Sequence, residues 1–143
     1  MKEIKGSVMI MVPADKVWAK MMDFSSYPKW NPWITGMRGE MGVGSLCEMT
    51  VQQPGKGVTD LKATVARIEE GKEILLKSKL MGGLVKEEHV LSVEPIDAGR
   101  SIFFQSMRFS GPMAGLIGGT IKASQKGLGD MNAALKKLCE EGG

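Results

Sequence analysis

Apolar and polar positions along the chain fall into three regimes. Val8-Met9-Ile10-Met11-Val12 is a continuous apolar run with β-branched residues at alternate positions, which predicts a strand. Pro13 ends it and suits the first turn of a helix, where a missing N–H costs little. Asp15 complements the positive end of that helix, and Val17, Trp18, Met21 and Met22 form one apolar stripe along it. Asp23-Phe24-Ser25-Ser26 supplies a stop and a new cap. Tyr27-Pro28 and Asn31-Pro32 then confine a second helix to a turn or two.

From Ile34 to Phe109 the period changes to two, punctuated by glycine. Cys47, Met49 and Val51 alternate with Leu46, Glu48, Thr50 and Gln52, and Gln53 to Gly57 reads as a turn. Leu61, Ala63 and Val65 follow, then a turn at Glu70-Gly71-Lys72, then Ile74, Leu76, Ser78 and Leu80. Gly82-Gly83 turns into Val85 to Val93, and Asp97-Ala98-Gly99 leads into Ile102 to Phe109. Connections this short demand antiparallel neighbours, because parallel ones need a crossover. The predicted sheet is a meander.

From Pro112 onward the spacing is helical again. Ile117, Ile121, Ser124, Leu128, Met131, Leu135 and Leu138 step by three or four residues and define one largely apolar face. Gly115, Gly118, Gly119, Gly127 and Gly129 crowd the first half, each interior one costing about 0.5–1 kcal/mol against alanine. That half is therefore either pliable or closely approached by another group. An antiparallel sheet with an apolar face needs a cover, and this helix is the element long enough to provide it. One rod does not fill a curved sheet along its length, so a cavity or a plug of large side chains is expected.

Composition narrows the class. At 143 residues, 43% hydrophobic and 24% charged, the chain has the size and make-up of one globular domain over residues 1–143. Nineteen Lys and Arg against sixteen Asp and Glu leave +3, too little and too evenly spread for a nucleic-acid partner. Cys47 and Cys139 lack a metal-ligand spacing and are too few for a disulfide scaffold, and His89 is the lone histidine. We expect no metal and no cofactor. The opening Met1-Lys2-Glu3-Ile4-Lys5-Gly6 lacks the apolar run of a signal peptide, and no stretch reaches the ~18 apolar residues of a membrane span. A cytoplasmic protein is expected.

Several segments together resemble the START-like or helix-grip superfamily (the SRPBCC group), most closely its polyketide cyclase/dehydrase and lipid-transport branch. They are Val8 to Trp18, Asp23-Phe24-Ser25-Ser26-Tyr27-Pro28-Lys29-Trp30-Asn31-Pro32-Trp33, Gly44, Gly83-Leu84 with His89, Leu91 and Val93, Phe109-Ser110-Gly111, and Gly127-Leu128 with Met131 to Lys136. The Asp-Phe to Asn-Pro segment is the specific part. The resemblance implies an α+β helix-grip fold: a curved antiparallel sheet of about six to seven strands around a long C-terminal helix, with two short helices after the first strand. It also implies a cavity for a small hydrophobic molecule. Many relatives carry an acidic residue two positions before the Phe-x-Gly end of the last strand, where this chain has Met107, a departure that favours passive binding.

Alternation supplies the candidate site. If Leu91 and Val93 face inward, so does His89; Ser78 shares parity with Ile74, Leu76 and Leu80, and Gln105 with Phe103, Met107 and Phe109. Such a surface is apolar with a few orienting groups, as expected of a pocket of about 300–1,000 Å³. Met49, Met81, Met107, Met113 and Met131 are expected to line it with polarizable, adaptable chains. Phe109, Leu116 and Leu128 would join them where helix meets sheet. Trp33 would border the mouth, and Trp30 would anchor a lid hinge between Tyr27 and Trp33. His89 reads first as a core histidine, then as a ligand contact, and last as an acid or base.

The function expected is binding or transport of a hydrophobic ligand such as a lipid, isoprenoid, quinone or polyketide. A polyketide cyclase/dehydrase is the alternative, needing an acid and base of which only His89 is evident. The third reading is an interaction module like the chaperone-cofactor relatives, with a filled core and an apolar surface patch. Transient contact with a membrane or a protein is compatible with each.

Overall fold

The computed structural model describes residues 1–142. Strand β1 (Lys2–Ile10) is followed by α1 (Ala14–Met22), a 3-10 turn at Phe24–Ser26 and the one-turn α2 (Tyr27–Trp30). Six strands follow: β2 (Ile34–Gly39), β3 (Leu46–Gln53), β4 (Gly57–Glu69), β5 (Glu73–Leu80), β6 (Val85–Asp97) and β7 (Arg100–Ser110). Helix α3 (Gly118–Gly142) closes the chain after a 3-10 turn at Ala114–Leu116.

The strands form one curved antiparallel sheet in the order β1-β7-β6-β5-β4-β3-β2. The meander from β2 to β7 follows from the short turns. β1 reaches beyond the apolar run in which it was recognised, because Lys2 to Ser7 pair with Phe109 to Phe104 while their polar side chains face out. Pro13 sits immediately before α1, its carbonyl accepting from the amides of Lys16 and Val17. The fold is the α+β helix grip, with seven strands and the short helices α1 and α2 after the first.

Alternation sorts the sheet into two faces. Ile74, Leu76 and Ser78 of β5, Val85, Glu87, His89, Leu91 and Val93 of β6, and Phe103, Gln105, Met107 and Phe109 of β7 are buried. Each large apolar side chain among them contributes about 1.5–3 kcal/mol through burial. α3 packs against β1 and reaches β3, β7 and α1. Its buried stripe is Ala123, Ser124, Gly127, Leu128, Met131, Asn132, Leu135 and Cys139, while Ile117, Ile121 and Leu138 are only half-buried. The helix is thus turned slightly from the face its large apolar residues alone define, bringing Gly127 and Asn132 inward. No helix among the described residues is long and apolar enough to cross a membrane.

Candidate functional site

Trp33 occupies the middle of the space between sheet and helix. Asn31, in the turn after α2, accepts with Oδ1 from the amides of Trp33 and Ile34 and so turns the chain inward at this point. The indole is 2% exposed. It lies against the bare backbone of α3 at Gly127, where an added Cβ would fall 2.3–2.6 Å from Cδ1, Nε1 and Cγ of the ring. Its Nε1–H donates to Gln53 Oε1 at 3.2 Å, and Gln53 Nε2 donates to Ser124 Oγ at 3.0 Å. Ring, strand end and helix are therefore joined at one point, and Trp33 is interior rather than at a mouth. The anchor of the preceding segment is Tyr27, fully buried with its hydroxyl donating to Met21 O at 2.6 Å. Trp30 stands half-buried against its edge, so the expected anchor is displaced by three residues.

What Trp33 leaves open is a void of about 20 Å³ bordered by Trp33, Met49, Glu87, His89 and Met107, among others. A void of that size is of the order of one water molecule. The expected pocket of several hundred cubic ångströms is not open in this conformation, because an indole resting on a glycine fills it.

The polar side chains here are ordered. His89 Nε2–H donates to Gln105 Oε1 at 2.7 Å, and Gln105 Nε2 donates to Asn132 Oδ1 at 2.8 Å, running from β6 through β7 to α3. The His89 ring lies 5.5 Å from the Trp33 ring. Burial lowers the imidazole to about 4, only partly offset by the Gln105 hydrogen bond, so the ring is neutral near pH 7 with Nδ1 an available acceptor. Two residues earlier on the same face lies Glu87. Burial alone raises its carboxyl to about 7, and among the described residues no group hydrogen-bonds or ion-pairs with it. A buried carboxyl without partners answers its desolvation by holding its proton.

Glu87 is a site residue beyond those expected from the sequence. The signal was present, since alternation that turns His89 inward turns Glu87 inward too, but Lys86-Glu87-Glu88 reads as a solvated charged run. An acidic group therefore borders the void from β6, opposite Phe109, although the position expected of an acid on β7 is Met107, which lies opposite His89.

The remaining expected residues divide. Leu91, Gln105, Phe109, Leu128 and Met131 are buried around the void without bordering it. Leu80 and Met113 are half-buried. Met81 and Leu116 are 48% and 69% exposed and do not face the interior. Met81 lies past the end of β5 in the left-handed region (φ 53°), where strand alternation no longer applies. Leu116 belongs to the 3-10 turn before α3, out of phase with the helix.

Ser78 opens onto a different feature. β4 and β5 pair only from Ala63 and Ser78 toward Glu69 and Glu73; on the other side Gly57 to Lys62 pair with β3 alone, and Lys79 and Leu80 with β6 alone. At this split lies a groove of about 620 Å³ lined by Leu46, Lys62, Ser78, Lys79, Lys86 and Glu87, among others. Glu87 borders both groove and void. Among the described residues no three His, Cys, Asp or Glu side chains cluster as metal ligands.

Solved structures share this architecture at low sequence identity. A point mutant of norcoclaurine synthase from Thalictrum flavum, in complex with a transition state analogue, superposes with a TM-score of 0.75 at 18% identity, over 99% of this chain and 95% of that one. A START superfamily protein from Mycobacterium smegmatis gives 0.64 at 20% identity, over 95% and 98%. The di-domain ARO/CYC protein BexL gives 0.73 at 12% identity over 96% of this chain, which spans about half (47%) of that one. These likenesses establish the fold. Among curated proteins, none matches in sequence. The family model for polyketide cyclase / dehydrase and lipid transport matches residues 1–140. A match over nearly the whole length, on a sheet that grips its last helix, means that this chain belongs to the polyketide cyclase / dehydrase and lipid transport family.

Proposed function

We propose that the protein binds a small, largely apolar ligand carrying at least one hydrogen-bonding group, in the space Trp33 now fills. The observation that carries this reading is Glu87: an unpartnered carboxyl bordering a void otherwise lined mainly by Met49, Met107, Trp33 and their apolar neighbours. An acid there with no protein partner presents a polar group that a ligand hydroxyl or carbonyl placed beside it would pair with. His89, held by Gln105, offers a second orienting atom at Nδ1. Binding requires the indole to leave Gly127, and the hydrogen bond to Gln53 is the polar contact it would give up. The same reading keeps the protein in the cytoplasm with Cys47 and Cys139 reduced; both are free and buried.

Two observations support other readings. Glu87 beside His89 supplies the acid and base that a cyclase or dehydrase requires, close to the pKa range in which such groups work for Glu87 alone. The small void, with Met81, Leu84 and Leu116 exposed, is what an interaction module would show. Titration with a series of apolar alcohols, ketones and isoprenoids, followed by amide chemical shifts, separates them. A binder shows saturable shifts along Val85–Val93 and Met113–Leu128. Shifts confined to the exposed apolar residues, with none on β6, favour the interaction module and overturn the binding reading. A cyclase binds as well and is marked by turnover that His89→Ala removes while affinity is retained.

A further inference from the structure

The split between β4 and β5 has features that the interior site does not use. Lys62 projects from β4 on one side of it, Lys79 and Lys86 from β5 and β6 on the other, and all three are exposed without an ion-pair partner among the described residues. Lys77, also on the rim, is 3.9 Å from Glu88 and partly neutralised by it. The strand edges facing the split carry backbone N–H and C=O groups that no neighbouring strand takes up. Glu87, at the floor, is also the wall of the internal void, and Leu61 lines that void while its neighbour Lys62 lines the groove. Glu87 therefore stands between a groove that is basic outside and a void that is apolar inside.

The geometry points to a lateral entrance at which this chain takes an amphiphile with an anionic head, a carboxylate or a phosphate. The head stays among Lys62, Lys79 and Lys86, and the apolar chain passes Ser78 and Glu87 toward the space vacated by Trp33. This inference rests on the binding reading above and adds the charge class of the ligand and its route. Three like charges around one groove repel one another, and an anion removes that repulsion as well as adding attraction. The groove's volume of about 620 Å³ accommodates a head group and the first part of a chain, which the void as it stands does not.

Calorimetric titration with four probes tests it, using dodecanoate, dodecyl phosphate, dodecanol and inorganic phosphate below any micelle concentration. Dodecanoate, dodecyl phosphate or both should bind about tenfold more tightly than dodecanol. The Lys62→Gln/Lys79→Gln/Lys86→Gln variant should remove that advantage while leaving dodecanol within about twofold, and added salt should act in the same sense. Which head binds more tightly distinguishes a carboxylate from a phosphate ligand. If dodecanol binds with shifts along β6 but as tightly as the charged probes, or if the lysine variant changes nothing, the entrance is overturned and the interior site stands. Inorganic phosphate binding as tightly as dodecyl phosphate would overturn the amphiphile in favour of an anion site alone. Failure of all four to bind overturns both proposals.

Discussion

Glu87 and His89, two residues apart on the inner face of β6, respond to burial in opposite senses. Glu87 rises from its usual 4.5 to about 7, and His89 falls from 6.5 to about 4. The folded protein therefore holds the Glu87 proton where the unfolded chain has lost it. That contribution is whole below pH 4.5 and disappears as pH rises through 7. His89 works the other way, contributing above pH 6.5 and losing its contribution as pH falls through about 4. Each is of the order of 3 kcal/mol, and between pH 4.5 and 6.5 they oppose each other. Relative to the parent protein, Glu87→Gln should then gain stability as pH rises from about 4.5 to 7, and His89→Gln should lose it from about 4 to 6.5. Chemical denaturation across that range measures both slopes, and parallel curves for parent and variants would refute the assignment. His89 was legible because a lone histidine in an apolar alternation stands out. Glu87 was hidden because one charge among three neighbours looks solvated until the register of β5, β6 and β7 is known.

At the scale of elements, the contact of α2's following turn with α3 decides the state of the interior. Gly127 is the point at which a helix and an indole meet without an intervening side chain. Alanine ordinarily stabilises a helix interior relative to glycine by about 1 kcal/mol. At Gly127 its methyl overlaps the ring, and overpacking costs typically about 1–3 kcal/mol. At Gly129 nothing lies within reach of the added methyl. Gly127→Ala should lower the melting temperature and shift the tryptophan emission, while Gly129→Ala should raise it by a few degrees. Equal effects of the two substitutions would show that Trp33 does not rest on this helix. Glycine enrichment in a helix is compatible with either pliability or a close approach, and for Gly127 the structure shows the approach.

For the molecule as a whole, Trp33 links stability to capacity. Trp33→Ala should destabilise the fold by about 3–5 kcal/mol through lost packing and a new cavity. The same substitution should tighten binding of an apolar probe such as dodecanol, because the ring no longer has to be displaced. Thermal scans with and without the probe read both effects, since a ligand at a hundredfold excess over its Kd stabilises by about 2.7 kcal/mol. A variant that is destabilised yet gains no affinity would mean that the ligand does not use this space.

The residues alone determine the order of strands and helices, the antiparallel meander, the amphipathic last helix and the inward parity of β5 to β7. All of these depend on local periodicity and turn length, which are written along the chain. The same local rules lose their force just outside a strand or helix, which is why Met81, after β5, and Leu116, in the 3-10 turn before α3, face outward. Only the folded arrangement decides that Trp33 plugs the interior, that α3 turns Gly127 toward it, that Glu87 is left without a partner, and that β4 and β5 part at Ala63 and Ser78. Each of these is an encounter between residues distant in sequence. Its outcome depends on curvature, register and the volume of side chains brought together, and no single segment contains that information.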